Sequence, residues 1–229
     1  MFPQLQAQQR ACRACPRLIQ WCDEAASNPP ARFRGHDYHN GPVPTWGDET
    51  ARLLLVGLAP AAHGANRTGR LFTGDRSGDW LFRALWKAGF ASSPQCRTLD
   101  DEVQLLDCAI TCACHCAPPD NKPTLEEIRA CRPFLLAELR AMPRLRVVLG
   151  LGKIGFDTAF DALREANMTQ LKARPRFAHG ACVEVAPNLH LLGSFHVSQQ
   201  NTFTGRLTEE MLDDVFTQAR KLLNCSGSE

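Results

Sequence analysis

The sequence lacks any stretch that would carry it into or across a membrane. Its opening residues, MFPQLQAQQRACRAC, contain no apolar core of the kind a secretory leader needs, and no run of about 18 apolar residues occurs anywhere. Internal repeats and low-complexity tracts are also absent, which excludes solenoids and compositional linkers. Nor is there a strong charge of either sign: 26 Lys and Arg against 24 Asp and Glu leave a net charge of +2 and a pI near 8.0. That balance neither demands a polyanionic partner nor excludes one, because a local basic face can sit on a nearly neutral body.

Cysteine is what the chain has in quantity, eleven in 229 residues. The count is odd, and the spacings match no small secreted framework. In a chain expected to stay in the cytoplasm, clustered cysteines point first to a metal site rather than to disulfides. A hydrophobic content of 44% is enough for a sizeable core, and the length suits one α/β domain over residues 1–229.

The element pattern supports that class. Residues 1–22 read as a polar helix leading into Cys12-Arg-Ala-Cys15, and 27–49, rich in Pro, Gly, Asn and Asp, as a long loop. Arg52–Leu58 is a buried strand that stops at Ala59-Pro60, where proline cannot continue a ladder. A Gly-rich loop runs to about Gly78, and Ser77 or Asp79 is placed to cap the helix that follows. A second strand spans 107–116. Thr124-Leu-Glu-Glu127 is a capping box for the next helix, which Pro133 is expected to kink or interrupt. A third strand covers Arg146–Leu149, with a helix from about Lys153. Residues 182–186 and 189–195 are two further strands, and Thr208 can cap a last helix from Glu209 to Leu223. Strands alternating with helices predict a mostly parallel sheet covered on both faces. Ligands bind such sheets at the carboxyl ends of the strands, which directs attention to loops 59–78, 117–123 and 196–206.

Cys12 and Cys15 form a C-x-x-C, which alone fits a redox dithiol, a zinc knuckle or half a cluster site. Cys116 and Cys131 bring two more thiols from a strand end and the next helix, enough to close a four-thiolate site; spacing does not separate zinc from iron–sulfur. Cys112, Cys114 and Cys116 alternate along the second strand and share a face, so either outer member can approach the metal. Cys22, Cys96, Cys108, Cys182 and Cys225 read as small buried hydrophobes. Gly150-Leu-Gly-Lys-Ile-Gly155 fits G-x-G-x-x-G after a strand, but no acidic residue follows where a dinucleotide fold wants one. It reads as a tight strand–helix turn.

Two longer motifs are more specific. Gly57-Leu-Ala-Pro-Ala-Ala-His-Gly-Ala-Asn-Arg-Thr-Gly-Arg-Leu-Phe-Thr-Gly-Asp75 and His196-Val-Ser-Gln-Gln-Asn-Thr-Phe-Thr-Gly205 resemble family 5 uracil-DNA glycosylases, the UDGb type. Cys12-x-x-Cys15, Cys116-Ala-Pro-Pro-Asp-Asn-Lys-Pro-Thr124 and Cys131-Arg-Pro-Phe134 extend the resemblance over about residues 10–220. It implies a three-layer α/β/α fold, a [4Fe–4S] cluster on Cys12, Cys15, Cys116 and Cys131, and excision of uracil and other deaminated bases such as hypoxanthine from DNA.

A glycosylase must stack a flipped base on an aromatic face, and the resemblance gives that place to Phe72, with Gly57, Ala59 and His63 lining the base pocket. Breaking an N-glycosidic bond creates positive character on the sugar and negative charge on the base. Asp75 and His196 supply a carboxylate for water and an imidazole for the base oxygen, with Asn121 near the pocket. The backbone N–H groups of Gly64 and Ala65, with Asn66, Arg67 and Arg70, are placed to meet phosphate, and Ser198, Gln199, Gln200 and Asn201 to meet the minor groove. The basic run Lys172, Arg174 and Arg176 is a second phosphate candidate. Two departures stand out. Leu58 and Ala59 are apolar where other uracil-glycosylase families carry an acid, and Gln200 is uncharged where family 5 often has a basic residue. The expectation is a monomeric, monofunctional enzyme that leaves an abasic site; no lysine stands out as a Schiff-base nucleophile, so lyase activity is not expected. Rival readings are a non-catalytic, metal-stabilised nucleic-acid binder and a zinc hydrolase, the latter disfavoured because all four proposed ligands are thiols.

Overall fold

A computed structural model describes residues 2–224. In chain order it comprises α1 (Phe2–Ala11), α2 (Pro16–Ser27), β1 (Leu53–Gly57), α3 (Ala65–Thr68), α4 (Arg76–Lys87), β2 (Cys108–Cys112) and α5 (Leu125–Ala141). Then come β3 (Val147–Leu151), α6 (Gly152–Glu165), β4 (Cys182–Ala186), β5 (Leu189–Ser194), α7 (Gln199–Phe203) and α8 (Glu209–Asn224). The sheet order is β2-β1-β3-β5-β4, with parallel pairs throughout except antiparallel β4 at one edge. At the other edge Trp46 pairs with Ile110 of β2.

Every residue of β1, β2 and β3 is buried. That is why these strands are continuous apolar runs rather than alternating ones: helices cover both faces of the sheet. The two-residue period sorts them. Leu53 and Leu55 pack with Phe82, Leu85 and Phe216 on the α4–α8 face, whereas Leu54 and Val56 pack with Leu139, Phe156 and Phe160 on the α5–α6 face. The result is the expected three-layer α/β/α arrangement. Among the described residues, no helix is long and apolar enough to cross a membrane.

Several local expectations change. The N-terminal segment is two helices rather than one. Proline opens α2 at Pro16 and pushes Cys15 out of helical geometry (φ −117°, ψ 87°), so the C-x-x-C lies in the break. The second strand ends at Cys112, not 116, so Cys112, Cys114 and Cys116 do not share a strand face. Cys112 packs in the core beside β1, Cys114 against Ile128 and Cys131, and Cys116 against Cys22. Helix α5 runs unbroken through Pro133. Cys182 is exposed, on the edge strand, while Cys22, Cys96 and Cys108 are buried as expected; Cys225 lies outside the described residues.

The glycine motif after β3 is a packing device. A Cβ on Gly150 would stand 2.3 Å from the Cα of Phe156, and one on Gly155 would stand 2.3 Å from the carbonyl oxygen of Val56. Bare backbone at these positions lets α6 lie directly on the sheet.

Candidate active site and thiol cavity

Strand β1 ends at Gly57, and the missing side chain there makes room for an aromatic ring. A Cβ on Gly57 would lie 2.9 Å from Cζ of Phe72 and 3.2 Å from Sγ of Cys112. Phe72 has a left-handed backbone (φ 56°), a conformation that costs a bulky residue energy and needs support from its surroundings. Gly78 gives that support from α4, where any Cβ would sit 2.1 Å from the Phe72 carbonyl oxygen. The ring centroid of Phe72 is 6.2 Å from that of His196, inclined by 36°. His196 follows β5 and rests against Gly152 at the start of α6, where a Cβ would lie 3.1 Å from its own. Asn201 on α7 fixes the turn by donating Nδ2–H to the His196 carbonyl at 2.8 Å. Loops 59–78 and 196–206 therefore converge above the carboxyl ends of β1, β3 and β5.

Asp75, rather than Ser77 or Asp79, caps α4. Its Oδ1 accepts from Ser77 N–H at 2.9 Å and from Gly78 N–H at 3.2 Å. Its Oδ2 faces Gly64, where a Cβ would lie only 2.6 Å away. Burial pushes the carboxyl of Asp75 up from its ordinary value, opposed by the backbone N–H groups of Gly78 and Ser77 and by the Ser77 side chain. Burial also lowers His196 to about 4, so its ring is a neutral imidazole near pH 7, with one N–H to donate.

The other sequence candidates divide. His63 shares a 2.9 Å hydrogen bond with Tyr38, and its pKa is lowered by burial and by Arg32 and Arg67. Arg67 donates to the carbonyls of His63 and Gly74, which braces the loop between His63 and Asp75. Ala59 packs beside Ala113, Cys114 and Ile128. Asn121 is exposed in the second loop with a left-handed backbone. Ser198, Gln199, Gln200 and Asn201 form the start of α7, with Gln199 and Gln200 exposed.

Three candidates for phosphate contact are otherwise engaged. Asn66 is fully buried and ties loop 59–68 to Gly41, Ala62 and Cys22. Arg70 spends its guanidinium on Cys96 and the carbonyls of Thr98, Leu99 and Asp101, over the ring of Trp46. Gly64 N–H already donates to the Ala61 carbonyl. Sequence reasoning missed Phe203, which is 64% exposed at the end of α7 with Arg76 4.8 Å above its ring. It also missed Arg32, Phe33 and Tyr38, hidden in a segment read only as loop.

Away from this site, Cys12, Cys15, Cys116 and Cys131 line one cavity together with Leu18, Ile19, Pro42, His115 and Phe134. The N–H of His115 donates to Cys131 Sγ at 3.3 Å. Among the described residues no three such donors are drawn in tightly enough to form a closed single-ion site. Helix α1 reaches the cavity on a buried anchor: Gln9 donates to Glu138 at 2.6 Å and to Thr45 at 3.1 Å.

The family model of the uracil DNA glycosylase superfamily matches residues 44–220. The chain belongs to that superfamily. Its relatives include a type-5 uracil-DNA glycosylase of Mycobacterium leprae, 47% identical over 222 residues, covering 96% of this chain and 95% of that one. Another, from Thermus thermophilus, is 48% identical over 212 residues, covering 93% and 94%. A third, from Pyrobaculum aerophilum, is 40% identical over 214 residues, covering 93% and 90%. The superfamily match begins after α2, whereas the Mycobacterium leprae match is long enough to take in the Cys12–Cys15 segment.

Proposed function

We propose that this protein is a monofunctional uracil-DNA glycosylase that flips uracil out of DNA and hydrolyses its N-glycosidic bond, leaving an abasic site. The observation that carries the mechanism is the division of labour on one carboxylate. Asp75 holds α4 with Oδ1 and turns Oδ2 toward Gly64. A base stacked on Phe72 would have His196 at its edge and Asp75 on its sugar side. As the bond from C1′ to the base nitrogen breaks, its electron pair leaves with the base. The neutral imidazole of His196 donates a hydrogen bond to the base oxygen that gathers this charge. Asp75 Oδ2 faces the positive sugar, orients a water molecule and takes its proton as the water oxygen bonds C1′. Asn121, His63, Gly57 and Ala59 complete the base pocket, while Arg67, Ser198 and the α7 residues Gln199, Gln200 and Asn201 meet the strand. The range extends to hypoxanthine, because the apolar Leu58 and Ala59 place no acid against the base.

Cys12, Cys15, Cys116 and Cys131 are the ligands of a [4Fe–4S] cluster. Four thiols spread around an apolar cavity suit a large inorganic core better than one zinc ion, which needs all four sulfurs at about 2.3 Å. Bound there, the cluster supplies cross-linking rather than chemistry, stapling the α1–α2 segment to Cys116 and α5. The enzyme acts as a monomer on chromosomal DNA in the cytoplasm.

The deciding assay offers purified protein duplexes carrying uracil, hypoxanthine or xanthine and measures abasic sites. Excision of uracil with no strand cleavage is expected. Tight binding to all three duplexes without abasic product would replace this reading with a non-catalytic nucleic-acid binder.

A further inference from the structure

The segment before β1 builds a cationic ledge that no candidate motif includes. Two guanidinium groups stack on the Phe33 ring, Arg32 at 4.7 Å and Arg67 at 4.4 Å from its centroid, and the ring is 6.1 Å from that of His63, tilted by 30°. Tyr38 is hydrogen-bonded to His63, while His39 N–H and Asn40 N–H donate to the carbonyls of Arg67 and Asn66. The ledge is therefore fastened to the very loop that carries Gly64 and, through Arg67 and Gly74, to the residue before Asp75.

Its charge is not spent internally. Arg32, Arg34 and His36 are exposed. Among the described residues, neither Arg32 nor Arg34 belongs to an ion pair. Asp37 is the one acid between residues 31 and 40. In the run at 172–176 the central arginine differs: Arg174 is paired with Asp161 at 2.6 Å and Asp157 at 3.5 Å, and those acids are shared with Arg132 and Lys153. A phosphate approaching Arg174 must compete with two carboxylates, whereas one approaching Arg32 or Arg34 meets no such competitor among the described residues.

We infer that Arg32 and Arg34 grip backbone phosphates of the damaged DNA strand at the rim of the base pocket. Phe33 and Arg67 act as the stacked support that orients Arg32. This rests on the glycosylase reading above and deepens it, adding the loop before β1 to the residues that meet the strand. A guanidinium stacked on an aromatic ring loses little freedom when its edge binds an oxyanion. Adjacent strand phosphates recur at a spacing that two arginines separated by one residue can span.

The test measures the affinity of the full-length protein for a duplex with a central abasic site across a series of NaCl concentrations. Each phosphate contact adds about one unit to the log–log slope. Arg32→Ser/Arg34→Ser is expected to lower the slope by one to about two units. Arg32→Lys/Arg34→Lys should keep most of it, because charge rather than shape sets the slope. Lys172→Ser/Arg174→Ser/Arg176→Ser should change the slope less than the Arg32/Arg34 pair. Melting curves of all variants verify folding. Inorganic phosphate should compete only as ionic strength does, since it lacks the spacing of a strand. An unchanged slope in the folded serine double variant overturns the inference. If wild-type protein excises uracil in that case, the glycosylase reading stands and only this contact fails; if wild type neither excises uracil nor binds DNA, the functional reading itself fails.

Discussion

Asp75 Oδ2 lies where the side chain of residue 64 would have to be: a Cβ on Gly64 would come within 2.6 Å of it. The other oxygen is tethered by two backbone N–H groups of α4, so the carboxylate cannot simply swing aside. Gly64→Ala should displace Oδ2 from its working position and lower single-turnover uracil excision roughly 10-fold or more, as misplacement of about an ångström does. The melting temperature should fall less than for a core substitution. Wild-type excision rates in this variant would show that the carboxylate has freedom the contact denies.

Asp75→Asn separates the helix cap from the proposed proton acceptance. Asparagine caps helices about as well as aspartate, so α4 keeps its start, while the proton acceptor is gone. Excision should drop about 10²-fold or more. The stability effect has a defined sign. A carboxyl with a raised pKa is best tolerated below its unfolded value and costs stability as pH rises through its folded value. The asparagine variant should therefore melt no lower than wild type at pH 7, with any gain disappearing in acid. Asp75→Ala, which also removes the cap, should lose about 1 kcal/mol. Paired melting curves and single-turnover rates read both effects.

The pH profile of excision should have one acid limb, lying above the ordinary aspartate range because burial raises Asp75. His196 contributes no inflection near 6.5, since burial holds its folded pKa at about 4. Its contribution to stability has the opposite sign to that of Asp75, being present at neutral pH and lost as pH falls through about 4. A rate profile with an inflection near 6.5 that disappears in His196→Ala would mean the imidazole works in its charged form.

Phe203 presents an exposed ring beside the loop that carries His196. An apolar side chain there can fill the gap left by a flipped base. Phe203→Ala should slow excision from duplex DNA several-fold more than from single-stranded DNA, where no stack has to be opened. Equal slowing on both substrates would assign the ring to general binding.

Cys131→Ser should remove iron, near four per chain in anaerobically purified wild type, and lower the melting temperature while sparing chemistry at low temperature. Metal analysis with melting curves checks this, and stoichiometric zinc without iron would overturn the cluster assignment. Helix α1 should keep part of its docking without metal, because Gln9 bonds Thr45 and Glu138 independently of the thiols.

Most of the sheet was legible from the chain alone. Continuous Leu and Val runs admit only strands buried on both faces, and the Thr124–Glu127 capping box and Thr208 mark helix starts that the structure keeps. The two glycine-containing motifs marked a pocket loop and a tight strand–helix turn. They did not show what each glycine makes room for: Gly57 for the Phe72 ring, Gly64 for the Asp75 carboxylate, Gly150 and Gly155 for the packing of α6 on the sheet.

Sequence by itself determined the layer architecture, the motif loops and the residue types available for chemistry, because periodicity and turn chemistry act over a few neighbours. Tertiary structure alone decided which of those residues are available. Asn66 and Arg70 carry groups suited to phosphate, yet the fold spends them on buried carbonyls and loop ends. Arg174 is neutralised by acids from α6, and Arg32, from a stretch without motif, is left unpaired beside the site. A hydrogen bond or an ion pair depends on what lies within a few ångströms in space, and that neighbour can be a hundred residues away along the chain.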